Sequence, residues 1–235
     1  MSLEDYYHPN QLNKFNYNIY ISRIEVRNFI QKNITQFSGS ILDLGCGNKP
    51  YEKLLKSAPN FKSYVGMDLE QSEIYNAVTK DLTWDGNNIP LHNFAIETVL
   101  ATELLEHCYD TENILNEIFR VLTNDGKLIG TVPFIWPLHE VPNDFYRFTP
   151  FALKRKLQEA GFSNIEIFAL GGHNKSLGVS LAIWLQNSKS GRLKKRVLRF
   201  FILPIIKNLI KNDHEIFDVY KNNNSFVGLG FIAKK

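Results

Sequence analysis

The sequence predicts an α/β fold in which helices flank a doubly wound parallel sheet. Apolar segments typical of strands alternate with segments of helical period, as they do in such sheets. The first predicted strand runs straight into a glycine turn, in the stretch ILDLGCGNKPY at 41–51. Ligands of open α/β sheets bind beyond the carboxyl ends of the strands, so this turn marks a candidate binding site.

Seven segments have the length and composition of strands. They are Ser40–Leu44, Phe61–Asp68, Ala77–Asp81, Ala95–Thr102, Lys127–Phe134, Phe162–Leu170 and Ser225–Lys235. The third is the weakest of them. The last two are separated by the long segment 171–224, where a short turn would be usual.

Four segments predict helices at 18–36, 51–56, 111–126 and 149–161. The third has the clearest pattern, because Ile114, Leu115 and Ile118 recur on one face. Asp110 or Thr111 can cap its start, and Gly126 is expected to end it. The fourth begins with Thr-Pro, which places a capping hydroxyl before a proline at the first helical position.

Composition indicates a folded chain in a reducing compartment. The 235 residues are 44% hydrophobic and 22% charged, which is ordinary for a globular protein. The two cysteines, Cys46 and Cys108, lack the spacing of a metal site, and no metal is predicted. The N-terminus has no apolar stretch typical of a signal peptide, and no apolar run is long enough for a membrane span. We therefore expect a cytoplasmic protein.

The chain divides into three predicted parts. Residues 39–170 together with 225–235 form the α/β domain. Residues 1–38 begin with an aromatic- and amide-rich stretch, which is expected either to fold over the ligand as a lid or to be a frayed end. Residues 171–224 form an insertion before the last strand.

The insertion is basic and amphipathic. No Asp or Glu occurs from Ile167 to Asn212, although several Lys and Arg do. Apolar clusters alternate with this charge, which allows peripheral contact with an anionic membrane through 189–211. The alternative is two ordinary helices that pack on the domain or on a second subunit. RNA binding is disfavoured because no nucleic-acid module is recognised.

The glycine turn limits the classes of ligand. Gly45 and Gly47 allow a ligand to approach main-chain N–H groups, and Asp68 is expected to close the next strand, where it can bind both ribose hydroxyls. Pro50 stands where a dinucleotide fingerprint needs its third glycine, so an oxidoreductase is disfavoured. Lys49 is not followed by the Ser or Thr of a phosphate-binding loop.

Five spaced blocks resemble the class I S-adenosylmethionine-dependent methyltransferases. They are ILDLGCGNKPY, YVGMDLE, KDLTWDGNNIPL, ATELLEHCYDTENILNEIFRVLTNDGKLIGTVPF and FYRFTPFALKRKLQEAGF, and they occur in the family's order over about residues 40–168. The resemblance implies a Rossmann-like fold whose seven-stranded sheet has its last strand inserted antiparallel. It also implies S-adenosylmethionine as the cofactor.

By this resemblance, nine residues are expected to bind the cofactor: Asp43, Gly45, Gly47, Asp68, Leu69, Asp81, Leu82, Thr102 and Glu103. The two glycines, with Asp43, correspond to the methionine part, and Asp68 to the ribose. Asp81 and Leu82 correspond to the edge of adenine. One departure from many relatives is Lys49, which stands where they have a further glycine.

Two stretches are candidates for the methyl acceptor's side. His139 is the preferred base and His107 a second catalytic candidate, because each follows a strand at the expected edge of the sheet. The predicted substrate-binding residues are Trp136, Glu140, Asp144, Tyr146 and Arg147. The alternative for residues 136–150 is a proline-stiffened surface loop. The alternative for His107 is a packing role. His173 is expected to have no role.

The acceptor stays open at this point. The stretch HEVPNDFYRFTPFAL is similar to methyltransferases of bacterial polysaccharide assembly, which implies a small-molecule or saccharide hydroxyl. The alternatives are an RNA or protein acceptor, N-methylation, or a module that binds S-adenosylmethionine without catalysis. The oligomeric state is undetermined.

Overall fold

One seven-stranded sheet organises the protein, whose computed structural model describes residues 6–69 and 80–235. The strands are β1 Gly39–Leu44, β2 Phe61–Leu69, β3 Leu82–Trp84, β4 Ile96–Thr102, β5 Leu122–Pro133, β6 Ser163–Leu170 and β7 Gly228–Lys234. Their order is β3-β2-β1-β4-β5-β7-β6. Strands β1 to β5 pair in parallel, and β7 lies antiparallel between β5 and β6. The predicted doubly wound, mostly parallel Rossmann-like sheet is therefore confirmed.

The predicted position of the third strand is wrong. Asp81 precedes β3 instead of closing it, and the strand has only three residues, which pair with Met67–Leu69 of β2. Three residues are too few to show an alternating pattern, so the sequence carried no local signal for them. Residues 77–79 of the predicted strand lie outside the described ranges.

Six α-helices that lie wholly within the described ranges surround the sheet. They are α1 Tyr20–Lys32, α2 Glu52–Leu55, α3 Thr111–Val121, α4 Pro150–Glu159, α5 His173–Asn187 and α6 Arg192–Lys211. Asp110 caps α3 by accepting from the Asn113 N–H at 3.0 Å, and Thr149 caps α4 by accepting from the Ala152 N–H at 3.2 Å. The predicted end of α3 at Gly126 is wrong, because Leu122 is already extended and pairs with Ile96.

The two faces of the sheet are covered differently. On one face, the buried side of α3 packs with Leu153 and Leu157 of α4 against β4 and β5. On the other face, Phe29 and Ile30 of α1 pack in a cluster that includes Ile41 of β1. Each face thus has an apolar layer, as expected for this fold.

The insertion packs as two helices on the N-terminal helix. Val179 and Ala182 of α5 and Ile206 of α6 share an apolar cluster with Ile21 of α1. Gly178 permits this approach, since a Cβ there would lie 2.9 Å from the Ile21 side chain. No helix in residues 6–69 or 80–235 combines the length and the apolar character that crossing a membrane requires.

Candidate active site

The glycine turn follows β1 and has a conformation that few other residues adopt. Gly45 has a φ of 74° and Gly47 a φ of 48°. The Gly45 and Cys46 N–H groups donate to the Met67 carbonyl at 2.8 and 3.0 Å, which joins the turn to β2. A Cβ on Gly45 would also lie 2.9 Å from the Leu104 side chain. Glycine is therefore required at this position for both conformation and space.

Asp68 connects the next strand to this turn. One carboxylate oxygen accepts from the Gly47 N–H at 2.7 Å, and the other accepts from the Leu69 N–H at 2.7 Å. Both Asp68 and Leu69 line the cleft, and Leu69 is 43% exposed. A carboxylate held in this way by main-chain donors is fixed in position at the carboxyl edge of the sheet.

The cleft at this edge has a volume of about 1440 Å³. Its walls come from the ends of the first four strands, from the loop that follows β5, and from the N-terminal segment. A space of this size accommodates a nucleoside together with a second molecule.

Asp43 is the most enclosed acid of the cleft. Its side chain is 1% exposed, and one carboxylate oxygen accepts from the Tyr64 hydroxyl at 2.6 Å. Its other oxygen has no hydrogen-bond partner among the described residues. Burial raises the pKa of Asp43 to about 7. Burial also raises the pKa of the neighbouring Cys46 thiol to about 12, so this cysteine is a protonated thiol and not a nucleophile at neutral pH.

Asp81 and Leu82 do not line the cleft. The Asp81 carboxylate forms an ion pair with Lys49 at 2.6 Å and accepts from the Gly66 N–H at 2.8 Å. The side of the cleft beyond β3 is lined instead by Trp84, Asp85 and Gly86, which end the strand. Sequence analysis missed these three residues because it placed the strand too early.

Thr102 and Glu103 follow β4 and line the cleft near the glycine turn. Glu103 has a φ of 50°, and its N–H donates to the Thr131 carbonyl at 2.9 Å. Its carboxylate accepts from the Thr131 hydroxyl at 2.9 Å. Burial raises the pKa of Glu103 above its usual range.

Two histidines from different loops meet in the wall of the cleft. His107 lies in the 3₁₀ turn Leu105–His107 after β4, and His139 lies in the loop after β5. Their rings pack edge to face with centroids 4.6 Å apart. Burial, and then the neighbouring His107, lower the pKa of His139, so its neutral form predominates at pH 7. Both rings line the cleft, as do the predicted substrate-side residues Trp136 and Glu140.

The remaining three predicted substrate residues lie behind this surface. Arg147 forms two hydrogen bonds to the Asp144 carboxylate, at 2.7 and 2.8 Å. It also donates to the carbonyls of Trp136 and Pro137, and Tyr146 donates to the Tyr109 carbonyl. The guanidinium holds the pKa of Asp144 well below its usual range. These contacts shape the loop, and none of the three side chains lines the cleft.

The N-terminal segment forms one wall of the cleft. Tyr6, Tyr7 and Arg23 line it, and the ring of His8 lies 2.6 Å from the Pro50 carbonyl beside the glycine turn. The Arg23 guanidinium donates to the Tyr6 hydroxyl at 3.0 Å and stacks on both tyrosine rings. Among the described residues that line the cleft, Arg23 is the single Arg or Lys. Sequence analysis missed this cation, since nothing in its local pattern distinguishes it from an exposed helix residue.

Part of the chain matches a known family of domains. Residues 42–130 match the family described as Methyltransferase domain. A malonyl-[acyl-carrier protein] O-methyltransferase of Alcanivorax borkumensis is 28% identical over 114 residues, an alignment that spans 45% of this chain and 39% of that protein. This chain therefore matches about two fifths of the length of its curated relative.

Solved structures share the fold over nearly the whole chain. A SAM-dependent methyltransferase from Archaeoglobus fulgidus superposes with a TM-score of 0.57 at 18% identity, over 91% of this chain and 94% of the other. The [4+2]-cyclase SpnF superposes with a TM-score of 0.59 at 14% identity, over 98% and 86%. Both likenesses concern the fold alone. Residues 42–130 therefore resemble a methyltransferase domain, and the sheet with its glycine turn has the fold of the solved SAM-dependent methyltransferase.

Proposed function

We propose that this protein transfers the methyl group of S-adenosylmethionine to an oxygen of a small-molecule or saccharide acceptor. The observation that carries the proposal is one cleft whose lining has two different parts. In one part, Asp68 and the glycine turn are hydrogen-bonded to each other. A different part of the lining, which we call the acceptor end, contains two histidines in contact with each other.

The cofactor would lie along the carboxyl edge of the sheet. The glycine turn, with Asp43, faces its methionine part, and Thr102 and Glu103 lie near the sulfonium. Asp68 binds the ribose hydroxyls, and Leu69 packs on adenine. We assign the adenine edge to Asp85 and Gly86 in place of Asp81 and Leu82, because the former pair lines the cleft and the latter does not.

Arg23 is proposed to bind the carboxylate of the methionine part. Changing Arg23 to Gln is expected to weaken S-adenosylmethionine binding about 10- to 100-fold, because a hydrogen bond to a charged group contributes about 1.5–3 kcal/mol. Titration calorimetry measures this affinity. Methylthioadenosine, which lacks the amino-acid tail, is expected to bind the variant as tightly as it binds the native protein.

Arg27 provides the matched control for this test, since it lies one helical turn further along α1 and does not line the cleft. The change of Arg27 to Gln is expected to leave both affinities unchanged. Equal weakening of the two ligands by the Arg23 variant would contradict the assignment, because it would indicate a general distortion of the cleft.

Methyl transfer from a sulfonium is an in-line displacement by the acceptor. The main task of the protein is to bring acceptor and methyl group together, which contributes about 7–11 kcal/mol in well-oriented reactions. An oxygen acceptor also benefits from loss of its proton, and a positioned base contributes typically about 10²–10⁴-fold. We assign this role to the pair of His139 and His107, whose rings face the cleft beside Trp136 and Glu140.

An oxygen acceptor agrees with two observations. The curated relative is named an O-methyltransferase. The acceptor end of the cleft also combines aromatic rings, including the exposed Tyr109 and Phe145, with carboxylate and imidazole groups. Such a surface suits an acceptor with several hydroxyls, such as a saccharide. Transfer of a tritiated methyl group to fractions of a cell extract tests the class, and label found only in protein or RNA would contradict it.

A second candidate is a protein that binds S-adenosylmethionine and does not transfer its methyl group. The fold is shared with a [4+2]-cyclase as well as with methyltransferases, so it is compatible with either candidate. The same tritium assay discriminates the two. Tight binding of S-adenosylmethionine without any release of S-adenosylhomocysteine in extract would favour the second candidate.

The exposed side of α6 is proposed to rest on an anionic membrane. Five apolar residues recur along one face of the helix with helical spacing and are exposed: Leu193, Val197, Phe200, Phe201 and Ile205. The opposite face contains the buried Ile206, which packs against α5 and α1. Lys194, Arg196 and Lys207 border the exposed stripe, so it complements negative lipid headgroups.

Changing Phe200 and Phe201 together to Ser is expected to reduce binding to vesicles of phosphatidylglycerol and phosphatidylcholine about tenfold or more. Sedimentation of the vesicles measures this, and binding of the native protein should fall as salt rises. Phe217 is 91% exposed but lies outside the helix, so Phe217→Ser is the control. An equal loss in the control, or no binding at low salt, would contradict the membrane proposal.

A further inference from the structure

We propose that Glu106, His107 and His139 bind a divalent metal ion at the acceptor end of the cleft. Each side chain offers one ligand atom, and these three atoms all lie within 4.8 Å of one another. The sequence predicted no metal, because its two cysteines lack metal-site spacing and its two histidines lie 32 residues apart.

Glu106 is a buried carboxylate in a position where a cation would supply the missing partner. Its side chain is 0% exposed, and neither carboxylate oxygen has a hydrogen-bond partner among the described residues. Buried polar groups almost always have partners, and an orphaned one calls for an explanation such as a missing ion. The Glu106 carbonyl accepts from the N–H groups of Phe145 and Tyr146, so its backbone is held against the loop that contains His139.

The imidazole rings of His107 and His139 are oriented by hydrogen bonds at Nδ1. The Nδ1 of His107 lies 2.5 Å from the Asn143 carbonyl, to which it can only donate. The Nδ1 of His139 lies 3.3 Å from the Asp144 carboxylate, which is itself held by Arg147. Each ring therefore keeps its proton on Nδ1 and leaves the Nε2 lone pair free. Such outer hydrogen bonds are typical of metal-binding histidines.

The distance between His107 and Glu106 also fits a shared metal ion. His107 Nε2 lies 3.7 Å from a Glu106 carboxylate oxygen, too far for a hydrogen bond between them. Two ligands that each lie about 2.1 Å from a metal ion are about 3–3.5 Å apart in tetrahedral or octahedral geometry. A small movement of these side chains would thus bring both atoms into one coordination sphere.

The donor set indicates which metals would bind. Two imidazoles and one carboxylate suit Zn²⁺, Mn²⁺, Fe²⁺ or Co²⁺ better than Mg²⁺ or Ca²⁺, which prefer oxygen ligands. Three protein ligands leave at least one coordination position open. Glu106 is buried and does not line the cleft, while both histidines line it, so a coordination position left open would be reached from the cleft.

The role of the ion in turnover rests on the proposed function. The acceptor hydroxyl oxygen would bind at the open position, where the ion lowers its pKa. In this arrangement the two histidines would bind the ion, so the proton-accepting role assigned above to their rings would pass to Glu140, whose carboxylate lies 3.9 Å from His107 Nε2. The oxygen–methyl bond then forms as the methyl–sulfur bond breaks, and the electron pair of that bond remains on sulfur in S-adenosylhomocysteine.

Metal titration of the chelator-treated full chain tests the site directly. We expect calorimetry to find one equivalent of Mn²⁺ or Zn²⁺ bound, and Co²⁺ to give an absorption spectrum typical of nitrogen ligation. Glu106→Gln, His107→Gln and His139→Gln should each weaken binding at least about tenfold. His173→Gln is the control, because this exposed histidine lies at the start of α5, outside the cleft.

Failure of the metal proposal is separable from failure of the proposed function. S-adenosylmethionine affinity, measured on the same metal-free protein, is expected to be the same in Glu106→Gln as in the native chain. Absence of stoichiometric metal binding, with this affinity intact, would overturn the metal site and leave the methyltransferase proposal standing. Metal binding that the His173 control lowers as strongly as the other variants would also overturn it. Equal melting temperatures of the native and Glu106→Gln proteins, both metal-free, exclude misfolding as the cause of a loss.

Discussion

Changing Asp68 to Ala is expected to weaken S-adenosylmethionine binding about 100-fold. The carboxylate faces the cleft at the end of β2 and is proposed to accept from both ribose hydroxyls. Two hydrogen bonds to a charged group contribute about 1.5 kcal/mol each at the lower end of the usual range. Their loss corresponds to about two decades in the dissociation constant. Titration calorimetry measures it, and methylthioadenosine should be weakened to the same extent because it keeps the ribose.

Asp81→Ala is a well-matched control for this variant. Each of the two carboxylates binds the turn after β1, Asp68 through the Gly47 N–H and Asp81 through the Lys49 ammonium. Only Asp68 lines the cleft, so the Asp81 variant should retain its affinity within about threefold. An Asp68 variant that binds like the native protein would remove the ribose assignment. A large loss in both variants would indicate that each merely holds the turn.

Changing His139 to Ala is expected to lower kcat about 10²–10⁴-fold, while S-adenosylmethionine affinity changes less than about threefold. The ring belongs to the loop after β5, whereas the glycine turn follows β1, so its loss is expected to affect turnover and spare the cofactor. The measurement is initial-rate kinetics with the acceptor that the tritium assay identifies, alongside calorimetry of the cofactor.

His173→Ala serves as the control for kcat, since this ring is exposed and does not line the cleft. A His139 variant with unchanged kcat would exclude the residue from catalysis in any form. A variant whose cofactor affinity falls as far as its kcat would show that the loop after β5 supports the whole cleft. In that case the effect on turnover would say nothing specific about the acceptor.

A variant of His107 distinguishes a packing role of this ring from a catalytic role. Its ring contacts the ring of His139 edge to face and lines the same cleft. If His107 acts only as a packing residue, His107→Gln should retain kcat within about threefold, because its amide can still donate to the Asn143 carbonyl. A fall comparable with that of His139→Ala would instead support joint action at the acceptor.

The elements with a strong local pattern were predictable from the sequence. The apolar spacing of Ile114, Leu115 and Ile118 predicted α3, and all three side chains are buried in the structure. Thr149 and Pro150 predicted the start of α4, where the threonine hydroxyl caps the helix. The resemblance of the motif blocks predicted seven strands with the last one antiparallel, as the structure has them. In these cases the information lies within a few residues, in the period of the apolar side chains and in the needs of helix ends.

The composition of the cleft was decided by tertiary structure. Arg23 reaches it from a helix that precedes β1, and Asp85 reaches it because β3 begins one residue after Asp81. Glu106 becomes a buried, unpartnered carboxylate only because a short 3₁₀ turn and the loop from β5 enclose it.

The physical reason is that burial and partnership depend on pairings between distant segments. Arg147 illustrates this, since its type and spacing suggested contact with an acceptor, whereas the folded loop directs it to Asp144 and two carbonyls. Local sequence specifies period, caps and turns, and it thereby determined the sheet and the glycine turn of this protein. Which charges face the cleft, and which lie behind it, followed from how the loops after β4 and β5 pack together.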